Sequence, residues 1–455
     1  VNADLEVSSM PKPLAFALIL LFSAPALAQD QVPAILSMRE RAETIDRWLE
    51  IRFETVLPRL MRKENVDMWV IIAREYNEDP VIETMLPATW LAARRRTILV
   101  FFDRGEAQGV ERLAVARYDV GKAIQGTWNP EEVPDQWERL RQVIDERDPK
   151  AIALNRSKTF ALADGLTDSE LDSFLEAVPD KYEERVVSGE RLAIGWLETR
   201  IPEEMQVYPG VVKIARSIIA EGLSERVIQP GATTTTDVEW WYRDRIAELT
   251  LDTWFHPSVS VQRAEAPARG EGFASRPEEQ TILPGDLLHV DFGITYLRLN
   301  TDTQMHAYVL RPGENEAPAG LREALSTANR LQDILTSQFA SGRTGNEILK
   351  AALEQAKREG IRPSIYTHPI GFHGHAAGPT IGLWDRQDGV PGPGDYPLFP
   401  QTAHSIELNA TVAVPEWSGK DVRIMLEEDA FFDGENTWYI DPRMEELLLI
   451  PRPRR

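Results

Sequence analysis

The sequence predicts two domains, an α/β domain followed by a larger domain of mixed helices and strands. Three observations carry this. At 455 residues the chain is too long for a single hydrophobic core. Up to about residue 195, helical patterns alternate with short apolar runs, the signature of an α/β arrangement. Beyond residue 200, acids recur in or beside apolar, strand-like runs, where a carboxylate is costly to bury unless a proton or a cation compensates it.

Composition narrows the class. The chain is 43% hydrophobic and 27% charged, as ordinary soluble globular proteins are. A formal charge of −22 argues against nucleic acid or an anionic membrane as partner, since both need basic patches. The tail from Arg452 to Arg455 is too short to overturn that.

Met10-Pro-Lys-Pro13, a short apolar run and then Ala26-Leu27-Ala28 read as an upstream extension and signal peptide over residues 1–28, with Gln29 as the mature start. The run is too short for a transmembrane anchor. The chain has no cysteine, which removes disulfides, thiolate metal sites and thiol nucleophiles together. Export without thiols fits a periplasmic or secreted protein.

In order, a helical pattern covers residues 38–64, with Trp48, Ile51, Phe53, Leu57 and Leu60 on its apolar positions. Buried strands are expected at Met68–Ile72, Thr97–Phe102 and Ala151–Leu154, and Asn155 to Leu166 has turn chemistry. The joint falls between Leu197 and Met205, giving domains at 29–200 and 201–455, with Pro202 opening a helix. Helix is expected over 207–227, stopped by Pro230-Gly231, and again from a cap at Thr236 through Leu249. Two more helical patterns span about 319–340 and 345–359. The Gly- and Pro-rich stretch 378–400 is long enough to be a lid or specificity element.

The chemistry gathers around Gly285-Asp-Leu-Leu-His-Val-Asp291-Phe-Gly293 and Asp302, eleven positions after Asp291. These read as two strands that bring two carboxylates together. Three of the seven histidines, His368, His373 and His375, fall within eight residues and among glycines, which favours a ligand cluster. Glu407 and Glu427 follow, each within an apolar run, and Glu428 stands beside Glu427. Neighbours on a strand face opposite ways, so only one of that pair points inward. Four converging carboxylates would repel strongly, and two divalent cations would balance them. Hard oxygen ligands with one imidazole suit Mn²⁺ best, with Zn²⁺ or Co²⁺ possible.

In order and spacing, these motifs over about residues 200–450 resemble the pita-bread metallopeptidases: methionine aminopeptidase, aminopeptidase P and prolidase. The N-terminal half, with Ala163-Asp-Gly-Leu166, resembles the creatinase-type N-terminal domain. The resemblance implies an α/β N-terminal domain before an α+β pita-bread domain, and a homodimer. It implies metal binding by Asp291, Asp302, His368, Glu407 and Glu427, with Asp302 and Glu427 bridging two ions. His368, Gly371 and His375 fit the pattern His-x-x-Gly-x-x-x-His, so His368 takes the place of the ligand; His375 itself as ligand is the alternative. His375 otherwise resembles the histidine that meets the developing oxyanion, and Glu407 the proton shuttle. The implied activity is Xaa-Pro aminopeptidase or dipeptidase hydrolysis by a hydroxide shared between the two ions.

There are departures. No His occurs in Gly270–Ser275, where the family carries one before its first Asp, and His256 lies well upstream. Met305 and Met425 occupy positions where the family has Arg. These leave two alternatives open: a metal-dependent hydrolase of a non-peptide amide or ester, and a non-catalytic binding protein on the same fold. Of the other histidines, His289 shares a strand face with Asp291 and would be filler or would orient a carboxylate. His306 and His404 are expected to be plain strand residues, and His373 is a lesser candidate for the substrate pocket beside His375.

Overall fold

The computed structural model describes residues 32–265 and 278–452. The expected leader and Gly270–Ser275 lie outside them. The first half begins with α1 (Met38–Lys63), β1 (Met68–Arg74), α2 (Pro80–Met85), β2 (Arg96–Asp103), β3 (Val110–Ala114) and β4 (Gln125–Gly126). It continues with α3 (Gln136–Arg147), β5 (Ile152–Leu154), α4 (Asp168–Ala177), α5 (Asp180–Glu183), β6 (Val186–Ser188) and α6 (Glu190–Glu198). Its six strands form one mixed sheet in the order β4-β3-β2-β1-β5-β6, with β1 antiparallel to β2 and parallel to β5.

The reason β1 is apolar throughout is its central place. Trp69 and Ile71 face a core that includes Phe53 of α1 and Trp196 of α6, while Met68, Val70 and Ile72 face Leu140 of α3 and Phe174 of α4. Side chains alternate across a strand, so a sheet covered on both faces needs a continuous apolar run. Asn155 is more than a turn residue: it is buried, takes the Trp69 indole N–H at 2.8 Å and donates to both carboxyl oxygens of Asp79.

The second half holds α7 (Pro202–Gly222), α8 (Thr235–Glu248), β7 (Ser258–Gln262), β8 (Leu287–Phe292), β9 (Thr295–Tyr296), β10 (Leu299–Asn300) and β11 (Thr303–Val309). Then come α9 (Ala319–Thr336), α10 (Gly345–Arg358), β12 (Arg362–Ile365), β13 (His368–Ile370), β14 (Thr402–Ser405) and β15 (Leu408–Val414). The last strands are β16 (Lys420–Leu426), β17 (Asp429–Phe432), β18 (Thr437–Tyr439) and β19 (Leu448–Ile450). Three sheets matter for the site: β19-β11-β8-β7, β12-β15-β16 and β13-β14-β17-β18. The sheet system changes at α6–α7, yet the larger hydrophobic cluster runs through both halves, and the described residues from Val32 onward form one compact unit. No helix among the described residues is long and apolar enough to cross a membrane.

Two helix boundaries differ from expectation. Helix α7 starts at Pro202 and ends at Gly222, earlier at both ends than 207–227. Helix α8 is capped by Thr234 rather than Thr236: a capping box needs an acid three residues after the cap, and Asp237 stands in that relation to Thr234. The sequence also hides a hairpin. Strands β9 and β10 turn through Leu297 and Arg298, both at positive φ (55° and 64°), in a turn that usually announces itself with Asn-Gly. Arg298 offsets that cost by donating to the Leu86 carbonyl at 2.9 Å. The stretch 378–400 is tethered to α10, where the Asn346 amide bonds Val390 and Asp395.

A candidate metal centre where three sheets meet

Each candidate ligand sits where a strand begins, ends or breaks. Asp291 lies in β8, and Asp302 immediately precedes β11, its antiparallel neighbour. Gly293 lets the turn between them close, since a Cβ there would collide with the Thr301 carbonyl. His368 opens β13. Glu407 and Glu427 lie not inside strands, as their apolar surroundings suggest, but in the two-residue breaks β14–β15 and β16–β17. At both breaks the chain crosses from one sheet to another. Carboxylates at those crossings point into the seam, opposite the edge that carries Asp291 and Asp302.

The seam is closed by side chains. Strand β16 is an edge strand, and its backbone groups would otherwise lack partners. Gln262 bonds both the N–H and the carbonyl of Arg423, and the Met425 N–H donates to His306 Nε2 at 3.0 Å. His306 Nδ1–H in turn donates to the Leu288 carbonyl at 2.9 Å. This fixes the tautomer and gives His306 a structural task, and burial holds its pKa down at about 4. Gln304 continues the row through its backbone N–H to the Glu427 carbonyl at 3.1 Å.

Potential ligand atoms fall into three overlapping groups, each within 4.8 Å: His368, Glu407 and Glu427; Asp291, Asp302 and Glu427; and Asp302, His368 and His375. His368 Nε2 lies 3.4 Å from Glu427, 3.7 Å from Asp302 and 4.0 Å from Glu407. Its Nδ1–H donates to the Pro369 carbonyl at 2.9 Å, which leaves the Nε2 lone pair facing the acids. That Nε2 and one oxygen each of Asp291 and Asp302 are buried without a hydrogen-bond partner. Among the described residues, no Lys or Arg pairs with these four carboxylates. Burial and then their mutual repulsion drive the carboxyls of Asp291, Asp302 and Glu407 well above the ordinary carboxylate range. Orphaned donor atoms and uncompensated charge fit divalent cations, and the donor set of carboxylate oxygens with one imidazole fits hard-to-intermediate ions.

The neighbouring acids separate cleanly. Glu428 turns away from Glu427 to pair with Arg216 at 2.5 Å and accept the Met444 N–H at 2.7 Å. Asp429, which sequence reasoning passed over, is buried and accepts the Asp302 N–H at 3.4 Å. Gln304 and Ser405 were also missed: Ser405 Oγ donates to Glu427 at 2.7 Å, and Gln304 donates to Glu407 and Glu427. Gln304 was legible in principle, because it pairs with Asp291 across β8–β11 and so shares its face.

The remaining histidines take other places. His375 is exposed beside the cluster, its ring perpendicular to His368 at 4.7 Å and edge-on to Trp254 at 5.0 Å. Gly374 allows this approach, since a Cβ would collide with the Trp254 ring. The residue is exposed overall, but its ring is walled by Trp254 and His368; that desolvation, then the neighbouring His368, lowers the His375 pKa to about 4, so the ring is neutral near pH 7. His373, the lesser candidate beside it, is partly buried, with its pKa lowered to about 4 by burial and then by Arg200. His256 packs on α8 against Trp240 and near Arg243. His404 is buried edge-on to Phe339.

A comparison with curated proteins finds no significant match. Solved structures resemble the chain closely in fold. The X-Pro aminopeptidase of Thermotoga maritima superposes with a TM-score of 0.60 at 15% identity, covering 86% of this chain and 99% of its own. The Xaa-Pro dipeptidase of Bacillus anthracis gives 0.56 at 16% identity, covering 91% and 100%. A His350Ala form of Escherichia coli aminopeptidase P gives 0.54 at 14%, covering 90% and 95%. These likenesses establish an α/β N-terminal domain followed by a pita-bread domain. Residues 211–430, which contain all five candidate ligands, match the model of metallopeptidase family M24, so this segment is similar to that family.

Proposed function

We propose that the chain is a dinuclear-metal-dependent peptidase of the Xaa-Pro aminopeptidase or dipeptidase type. The observation that carries this is the sharing of Glu427 between two ligand groups, one with His368 and Glu407 and one with Asp291 and Asp302. Two adjacent ions held by those groups would have Glu427 in common, with Asp302 3.7 Å from His368 as a second bridge. Mn²⁺ suits the donor set best, with Zn²⁺ or Co²⁺ as alternatives. When bound, such ions supply Lewis-acid polarisation of a scissile carbonyl and lower the pKa of the attacking water.

The chain's own residues supply the rest. Glu407 has one oxygen held by Gln304 and the other turned toward His368, where it would take a proton from water and pass it to the leaving amine. His375, neutral and exposed at the rim, would donate to the developing oxyanion. Gly374 and Trp254 hold that ring over the cluster. The leader over residues 1–28 supports export, and the family resemblance supports a homodimer.

A second reading keeps the metals and changes the substrate to a non-peptide amide or ester. Met305 and Met425 favour it, since neither can make the polar contacts of the arginines that the family places there. One assay separates the two: the full chain with Mn²⁺, incubated with Xaa-Pro dipeptides and longer Xaa-Pro peptides, before and after chelation. Cleavage lost on chelation and in Glu407→Ala is expected. Metal binding without cleavage of any Xaa-Pro bond would overturn the peptidase reading in favour of the second.

A further inference from the structure

Gln304 stands where two of the candidate ligands need a neutral spacer. Its Nε2 donates to Glu407 Oε1 at 2.5 Å and to Glu427 Oε2 at 2.8 Å. Its Oε1 faces His289 Nε2 at 2.9 Å. Ionised, as metal binding requires, both carboxylates only accept, so the amide nitrogen faces the two acids and the amide oxygen faces the histidine. His289 therefore carries its proton on Nε2. Both Gln304 and His289 are buried, and the backbone N–H of Gln304 is tied to the Glu427 carbonyl at 3.1 Å.

The other oxygens of the same acids, Glu407 Oε2 and Glu427 Oε1, are those that approach His368 Nε2, at 4.0 and 3.4 Å. Hydrogen bonds to ionised carboxylates are short and strong, and a side chain with both amide protons so used has no freedom to rotate. We propose that Gln304 is a positioning residue that selects which oxygen of Glu407 and of Glu427 faces the metals, with His289 fixing its orientation from behind. The relay His289–Gln304–Glu407/Glu427 holds two acids from different sheet crossings at one separation before any ion arrives. The inference rests on the metal-centre reading and adds to it a residue that touches neither ion nor substrate.

The test is Mn²⁺ titration calorimetry on the full chain, with thermal melts of the metal-free form as a second reading. Gln304→Met keeps the length and removes the amide; it is expected to weaken Mn²⁺ binding by about 10–100-fold, the usual effect of losing a partner that orients a ligand. His289→Phe should weaken binding in the same direction by less, and His289→Gln, which restores an N–H donor, should recover most of the loss. A packing role alone would not produce that rescue. Equal Mn²⁺ affinity in the parent and Gln304→Met would overturn the relay and leave the metal centre standing. A parent chain that binds no divalent ion would overturn both. If Gln304→Met does not fold, the His289 pair decides: equal losses in His289→Phe and His289→Gln would also overturn the relay.

Discussion

The molecule buries charge in two places, and it handles them in opposite ways. At the junction of the two halves, Arg52 and Arg200 both reach Glu204, at 3.0 and 3.5 Å, and their guanidiniums sandwich the Phe372 ring at 4.7 and 4.4 Å. There each carboxylate has a cation or a backbone donor close by: Glu198 faces the two arginines and accepts the Ala377 N–H at 3.2 Å. At the sheet seam, four carboxylates have one histidine, one glutamine and one serine between them. The first cluster carries its own cations, although Glu198 Oε2, Arg52 Nε and Arg200 Nη1 are buried without hydrogen-bond partners, and it clamps the segment that carries His373 and His375. The second is complete only with cations added. A buried acid is thus informative by what is missing around it, not by burial alone.

The contrast breaks most sharply if a seam carboxylate proves dispensable. Glu427→Ala removes an acid common to two ligand groups, and Mn²⁺ affinity by calorimetry should fall by at least about 100-fold, beyond the usual loss of an outer partner. At the junction the cost should appear in stability instead. Arg52→Met leaves Glu204 buried with the longer Arg200 contact and the Ile201 N–H at 3.2 Å, at an expected cost of about 3–5 kcal/mol in denaturant unfolding, with Mn²⁺ affinity in the folded fraction unchanged.

The two clusters should also part company with pH. Burial raises the Glu198 carboxyl to about 8 despite Arg200. A raised folded pKa means stability present at low pH and lost as pH rises through about 8, so thermal melts across that range should fall in the parent and flatten in Glu198→Gln. At the seam Asp291, Asp302 and Glu407 are likewise raised, so the metal-free chain should lose stability as pH climbs above the usual carboxylate range. Added Mn²⁺ should reverse that slope, because cations displace the protons and bind better as pH rises. The smallest effect belongs to a residue near the seam but outside it. His404 has both ring nitrogens buried without partners, so His404→Phe should change stability by within about 1 kcal/mol or raise it, with unaltered metal binding.

Much of this was legible in the residues. The strand runs, the long helices and the five acid and histidine positions announce themselves through apolar context, because a carboxylate among valines and leucines is conspicuous. What the sequence hides follows from geometry that spacing does not encode. Glu407 and Glu427 read as strand interiors, since nothing in Ile406-Glu407 or Glu427-Glu428 signals a change of sheet. The turn of the β9–β10 hairpin lacks Gly or Asn and depends on Arg298 reaching Leu86, 212 positions away. Gln304 and Ser405 look like ordinary strand polars until the register sets them beside acids from distant segments. His306 and Gln262 look equally plain, and their task of closing the β16 edge exists only in the folded chain.

The most direct measurement is the metal content of the purified chain after chelator stripping and reloading with Mn²⁺, in the parent and in Glu427→Ala. Two ions bound per parent chain are expected, with loss of both, or of the tightly held fraction, in the variant. A parent chain with no bound ion, or a content that Glu427→Ala leaves untouched, would contradict it.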